Sequence, residues 1–374
     1  LIPAASPLRP HVTARDRLEI WLPAAESRPR NAQGHSLQFP TLDLARVDQV
    51  VRYAYKPATL EVYGSGLLAY HVFCDVHSIN DCDRAPASPI IIKAFLANLA
   101  GSYSGSAIAN YLYGVRAWHF VHDVPWKINS AEIEILLKGA SNLAPDSSKR
   151  KKRKPYTIAY ITKILAHLDP KSPFDAAVQS CLLTTFYSAA RVGETTIPNQ
   201  SAFKPNQHVK PSDLREVTTR EGLIMTELAV PTTKSAPQGE TLQYARQNGI
   251  IDPCAAWANH VAINAPPLDG PLFAYKSKKG HTPLTKSAFI KRLAAAARAA
   301  NEEPLSGHGI RIGATLEYLL RGVPFETVKV IGRWSSDTFI LYLRKHAQIL
   351  APYMQAVPAL HAEYIRYTMP PVRW

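Results

Sequence analysis

Apolar residues recur at helical spacing along most of the chain. Leu44, Val47, Val50 and Val51 mark a first helix, and Leu60, Tyr63, Leu67, Tyr70 and Phe73 mark a second after Pro57. Ser88 fits a helix N-cap with Pro89 in the first turn, and Ile91, Phe95 and Leu99 continue one face. Ile108, Leu112, Val115, Trp118 and Val121 form a fourth stripe, and Ala131 to Leu137 a weaker fifth. No alternating strand pattern interrupts this stretch, which predicts an all-helical domain over residues 43–141. Residues 1–42 are rich in Pro, Arg and Ser with weak periodicity, and predict an N-terminal arm.

The pattern then breaks. Lys149, Arg150, Lys151, Lys152, Arg153 and Lys154 are six consecutive cations. Like charges packed this densely resist burial, so residues 142–156 predict a basic linker. Pro155 ends it, and Thr157 can cap the next helix. Beyond it, helices are predicted over 157–168, 173–188, 253–264, 285–300, 309–321, 324–331 and 335–346. Residues 223–230 and 241–244 read as two strands around a loop, Pro231 to Gly239, and predict a small antiparallel hairpin. Residues 157–350 therefore form a second, mainly-α domain with a small antiparallel sheet, and 351–374 a tail. The tail carries one helical segment, Ala359 to Tyr367, which can dock on a neighbouring protomer or pack on its own chain.

Composition narrows the partners. The 374 residues carry 43 Lys and Arg against 29 Asp and Glu, a net charge of +14. Such an excess favours a polyanion, nucleic acid first and an anionic membrane surface second. No apolar run reaches the roughly 20 residues a membrane-spanning helix needs. The four cysteines, Cys74, Cys82, Cys181 and Cys254, form no C-x-x-C pair, which points to a reducing compartment without a structural zinc.

Several short patterns could carry chemistry. His308 and Arg311 lie three apart at a predicted helix start and can face one group. Arg191 ends a long apolar run, with Glu194 three residues on as a partner. Lys234 sits in the hairpin loop. Gly332-Arg333-Trp334 precedes a helix carrying Tyr342, for which Ser335 or Ser336 can provide the cap. Singly, each pattern is as compatible with structure as with chemistry: a helix start, an Arg–Glu pair, a solvated lysine, core aromatics.

Taken together and in order, they resemble the tyrosine recombinases, the phage integrase-like DNA breaking and rejoining enzymes. The resemblance covers about residues 155–350. The helical domain before it is similar to the family's core-binding domain, and the wording from Gly332 to Arg344 looks most like eukaryotic mobile-element members of the Crypton type. The implied fold is a helical core-binding domain plus a mainly-α catalytic domain, closing as a C-shaped clamp on DNA. The implied catalytic set is Arg191, Lys234, His308, Arg311, Trp334 and Tyr342, with Glu194 supporting Arg191. In these roles the arginines hold the scissile phosphate, His308 assists proton movement, Lys234 acts as general acid and Tyr342 is the nucleophile. Tyr318, seven residues past Arg311 on the same helix, is a competing tyrosine that fits no family pattern.

The chemistry is self-consistent. Tyrosine titrates near pH 10 and needs nearby positive charge to attack at neutral pH. Two guanidinium forks can supply the charge that a metal ion would otherwise provide. A 3′-phosphotyrosine stores the bond energy, so neither ATP nor another cofactor is expected. The expected partner is double-stranded DNA, with a dimer on each site and a tetramer in the synapse, and no membrane. Lys149 to Lys154 would track phosphates, or serve as a nuclear localisation signal; the location expected is nuclear in a eukaryote and otherwise cytoplasmic. Two alternatives stay open: a type IB topoisomerase, and a catalytically silent DNA-binding protein on the same fold.

Overall fold

The computed structural model describes residues 1–24, 46, 49, 50, 53–149, 151–336, 340 and 349. The chain divides into two compact units, Leu1–Lys151 and Lys152–Trp374. The boundary falls inside the run of six cations. No described helix is long and apolar enough to cross a membrane.

The first unit is helical: α1 (Arg17–Ile20), α2 (Pro57–Val76), α3 (Asp81–Arg84), α4 (Pro89–Leu99), α5 (Gly105–Val121) and α6 (Ser130–Asn142). The Ser88 hydroxyl accepts from the Ile91 N–H, so the cap read from the sequence forms. The core joins Leu67, Tyr70, Phe95, Leu112 and Trp118. Residues 1–24 depart from the expected arm. Leu18 and Trp21 are buried in this core, and the Trp118 indole N–H donates to the Trp21 carbonyl at 2.6 Å. Two large apolar side chains have found a core that periodicity in so short a segment could not announce. Of the predicted helix around Leu44 to Val51, Leu44, Val47 and Val51 lie outside the described residues.

The second unit is a mixed, mainly-α domain. Its helices are α7 (Ile158–Leu165), α8 (Pro173–Tyr187), α9 (Val192–Thr195), α10 (Pro253–Asn264), α11 (Lys286–Ala299), α12 (His308–Leu320) and α13 (Phe325–Ile331). Thr157 accepts from the Tyr160 N–H as the cap of α7. Helix α8 is buried on every side from Ala176 to Tyr187, which makes it the central element. Near its start, the Asp175 carboxylate takes two hydrogen bonds from the Arg292 guanidinium, both 2.7 Å.

An antiparallel meander of β1 (Leu214–Thr218), β2 (Ile224–Val230) and β3 (Glu240–Tyr244) packs on this core through Leu228, Val230, Leu242 and Tyr244. On the outer face Glu227 stands opposite Arg215 and Gln243 and bonds both. The predicted hairpin is thus β2–β3, and β1 extends it to three strands. A second hairpin, β4 (Tyr275–Ser277) with β5 (Gly280–Thr282), was not visible in the pattern, because two three-residue strands carry too little alternation.

Candidate active site

The C-terminal end of the central helix α8 sets the site. The chain leaves it through Ser188 and Ala189, which takes a left-handed backbone (φ 47°), and Arg191 becomes the N-cap of the short helix α9. Glu194 folds back on it: its carboxylate accepts from the Arg191 N–H (2.9 Å) and from the Arg191 guanidinium (2.7 Å). The Arg191 side chain keeps 32% of its surface exposed, whereas Glu194 keeps 6%.

The β2–β3 loop reaches the same place. Thr233 is buried and closes a tight turn, donating its N–H to the Ala236 carbonyl (2.9 Å) and accepting at its hydroxyl from the Ala236 N–H (3.0 Å). Lys234 and Ser235 are then carried outward, exposed. Arg191 donates to the Ser235 hydroxyl at 3.3 Å, which puts Lys234 one residue from the Arg191 fork.

Helix α12 brings the second pair. His308 is its first residue, half-buried, and Arg311 follows one turn later on the same face. The residue before His308 touches the residue after Arg191: a Cβ on Gly307 would sit 3.1 Å from a Val192 methyl. The helix is pinned from outside by the chain just after the basic run. A Cβ on Gly313 would lie 1.9 Å from the Tyr156 carbonyl, so only glycine allows this approach.

Arg311 is 1% exposed. Its guanidinium donates to the Ala189 carbonyl at 2.7 Å and to the Gly332 carbonyl, and stacks over the Trp334 ring, 4.3 Å from guanidinium carbon to centroid. The first bond ties it two residues from Arg191. The Gly332-Arg333-Trp334 turn is shaped for this stack. A Cβ on Gly332 would fall 1.6 Å from the Trp334 ring, so the ring can fold back only over glycine.

The structure therefore gathers Arg191, Glu194, the Lys234 loop, His308, Arg311 and Trp334 at one end of α8. The two arginines differ. Arg191 is partly exposed, with one terminal nitrogen on Glu194 and Ser235, whereas Arg311 is buried with both terminal nitrogens on backbone carbonyls, so an anion from solvent meets Arg191 first.

Tyr342 lies outside the described residues, as do Arg150 and the predicted tail helix. The competing tyrosine is placed clearly. Tyr318 donates its hydroxyl to the Tyr187 carbonyl, and burial pushes its pKa up to about 12, an environment unsuited to forming a phenolate. Lys149, Lys151, Lys152, Arg153 and Lys154 are all exposed; Lys149 pairs with Asp146 at 2.7 Å and Lys154 with Glu303.

Sequence reasoning did not single out Arg333, Glu240 or Ser235. Arg333 has a left-handed backbone (φ 56°) and donates to Glu194 (2.8 Å) and to Glu240 (2.9 Å). Glu194 consequently sits between two guanidinium groups. Burial alone would raise its pKa, but Arg333 and Arg191 outweigh that and hold the carboxyl below its ordinary value.

No family model matches this sequence, and no curated protein matches it. Solved structures do. The XerH site-specific recombinase, in a post-cleavage complex with a palindromic difH substrate, aligns with a TM-score of 0.53 at 15% identity over 91% of this chain and 93% of that one. A lambda integrase dimer bound to a COC′ core site aligns with a TM-score of 0.49 at 15% identity, over 81% and 76%. At such identity the XerH likeness is one of fold: a helical domain followed by a mainly-α domain with a small antiparallel sheet.

Proposed function

We propose that this chain breaks and rejoins DNA by tyrosine recombinase chemistry, as a site-specific recombinase or a mobile-element integrase of the Crypton type. The observation that carries the reading is a convergence in space. Residues scattered over more than a hundred positions, and matched in order to the family's catalytic set, have their described members at one end of a single buried helix. The fold shared with a DNA-bound recombinase supports it independently.

In this reading Arg191 meets a non-bridging phosphate oxygen through the part of its guanidinium left exposed. Arg311 adds fixed positive charge behind it, held by the Ala189 and Gly332 carbonyls. His308, at the start of α12, assists the proton leaving the nucleophile, and Lys234 protonates the departing 5′-oxygen from the hairpin loop. Tyr342 attacks phosphorus and forms the 3′-phosphotyrosine, and attack by the 5′-hydroxyl of a partner strand reverses the step. The exposed Lys149, Lys151, Lys152, Arg153 and Lys154 contact the DNA backbone.

Arg311's burial favours one rival, a silent DNA-binding protein on this fold. The same experiment separates them. Nicked suicide duplexes with a randomised centre should trap a covalent protein–DNA adduct, absent in Tyr342→Phe. DNA binding with no adduct across the pool would leave the silent reading.

A further inference from the structure

Arg333 occupies a position that the proposed chemistry leaves without a role. Its side chain is 10% exposed, with one terminal nitrogen on Glu194 and the other on Glu240. With each terminal nitrogen on a carboxylate and little surface open, its charge is directed at these two side chains. The three elements it joins are the ones that carry the site. Glu194 orients Arg191 from α9. Glu240 is the first residue of β3, closing the loop that bears Lys234. Arg333 itself lies between Gly332, whose carbonyl accepts from Arg311, and Trp334, whose ring stacks on Arg311.

The backbone points the same way. A left-handed conformation is strained for a residue with a Cβ, and arginine has no local means of relieving it, unlike asparagine or glycine. Glycine would suit the turn better. An arginine there is held by what its side chain does, and that is to pair two nearly buried carboxylates, 6% and 17% exposed. Without it, Glu194 keeps one cation, Arg191, and Glu240 loses its ion pair at this turn. The turn under Arg311 then has no tie through this side chain to the hairpin or to α9.

We propose that Arg333 is a positioning residue that locks Arg191, the Lys234 loop and the Arg311–Trp334 stack into one geometry through Glu194 and Glu240. The proposal rests on the DNA-cleaving reading for its effect on rate, but the lock itself is a property of the free protein. Small displacements of catalytic groups carry large rate penalties, so the effect falls on the chemical step rather than on DNA affinity.

The test uses the full chain with Arg333→Ala, Arg333→Lys and Glu240→Gln. Adduct formation on the pool of nicked duplexes is followed in single turnover, and DNA affinity is measured by anisotropy. Arg333→Ala should slow adduct formation by roughly 10- to 100-fold and change affinity by less than about 3-fold. Arg333→Lys should recover part of the rate, because one ammonium can serve one carboxylate. A double-mutant cycle between Arg333→Ala and Glu240→Gln in thermal unfolding should show coupling without any DNA. Wild-type cleavage rate in Arg333→Ala, or equal losses of rate and affinity in both Arg333 variants, overturns the proposal. Coupling in the stability cycle with no adduct from the wild-type protein supports the lock and sinks the cleavage reading instead.

Discussion

The guanidinium of Arg311 lies over the indole of Trp334 at 4.3 Å, and both are fixed by the glycine between α13 and the ring. This stacking explains why Gly332 and Trp334 occur together. A ring folded back on its own chain needs a residue without a Cβ, and a buried guanidinium gains from an aromatic face as well as from carbonyls.

Gly332→Ala should therefore be more damaging than an ordinary helix-end substitution. The new methyl overlaps the ring, and either the Trp334 side chain or the turn must move, at a cost of about 1–3 kcal/mol typical of overpacking. Denaturant midpoints would show it. Gly332→Ala in a Trp334→Ala background should cost much less, and equal costs in both backgrounds would refute the clash.

Glu194 makes the site acid-sensitive. Its folded pKa lies below the ordinary value of 4.5, so its pairing stabilises the fold above that pH, and the contribution is lost as pH falls through the lowered folded value. Glu194→Gln should flatten the acid end of the stability–pH curve measured by urea unfolding. A curve unchanged in shape would contradict the pairing.

The first unit carries its own acid trigger at a higher pH. His119 is fully buried, accepting from the Ala87 N–H at 3.0 Å, so its other nitrogen donates to the Val115 carbonyl at 2.8 Å. Burial lowers its pKa from 6.5 to about 4. Stability is then complete above pH 6.5 and falls as pH drops toward 4, by up to roughly 3 kcal/mol for this one group. NMR titration of the His119 ring should show it neutral at pH 5.5. A protonated ring at that pH would remove the trigger.

The basic run should govern salt dependence rather than cleavage chemistry. Replacing Lys151, Lys152, Arg153 and Lys154 with alanine should weaken binding to any duplex. The slope of log affinity against log salt should shrink by about 0.9 for each phosphate that is no longer neutralised. The adduct-forming rate at saturating protein should hold. An unchanged slope would remove these side chains from the DNA interface.

What was legible in the sequence, and what was not, follows from the range of the interactions. Ser88 and Thr157 announced their helices because a cap is decided within three residues, and both hydroxyls do accept from the expected N–H groups. His308 and Arg311 pair on sight because helix geometry fixes their spacing. The lock through Arg333 was not visible, because it joins residues 139 and 93 positions apart and depends on a left-handed turn that no local signal marks. Leu18 and Trp21 are hidden for a related reason: two apolar residues in a polar arm have no periodicity, and only the finished core shows where they go. The burial of Arg311 was equally hidden, since the sequence shows an arginine on a helix and not the carbonyls that enclose it.

The most direct measurement is covalent capture. Wild-type protein and Tyr342→Phe are incubated with the pool of nicked duplexes, and the denatured products are digested with protease and mapped by mass spectrometry. The account predicts a nucleotide attached to the peptide containing Tyr342, abolished by Tyr342→Phe and by Arg191→Ala. An adduct on another residue, or one that persists in Tyr342→Phe, would contradict it.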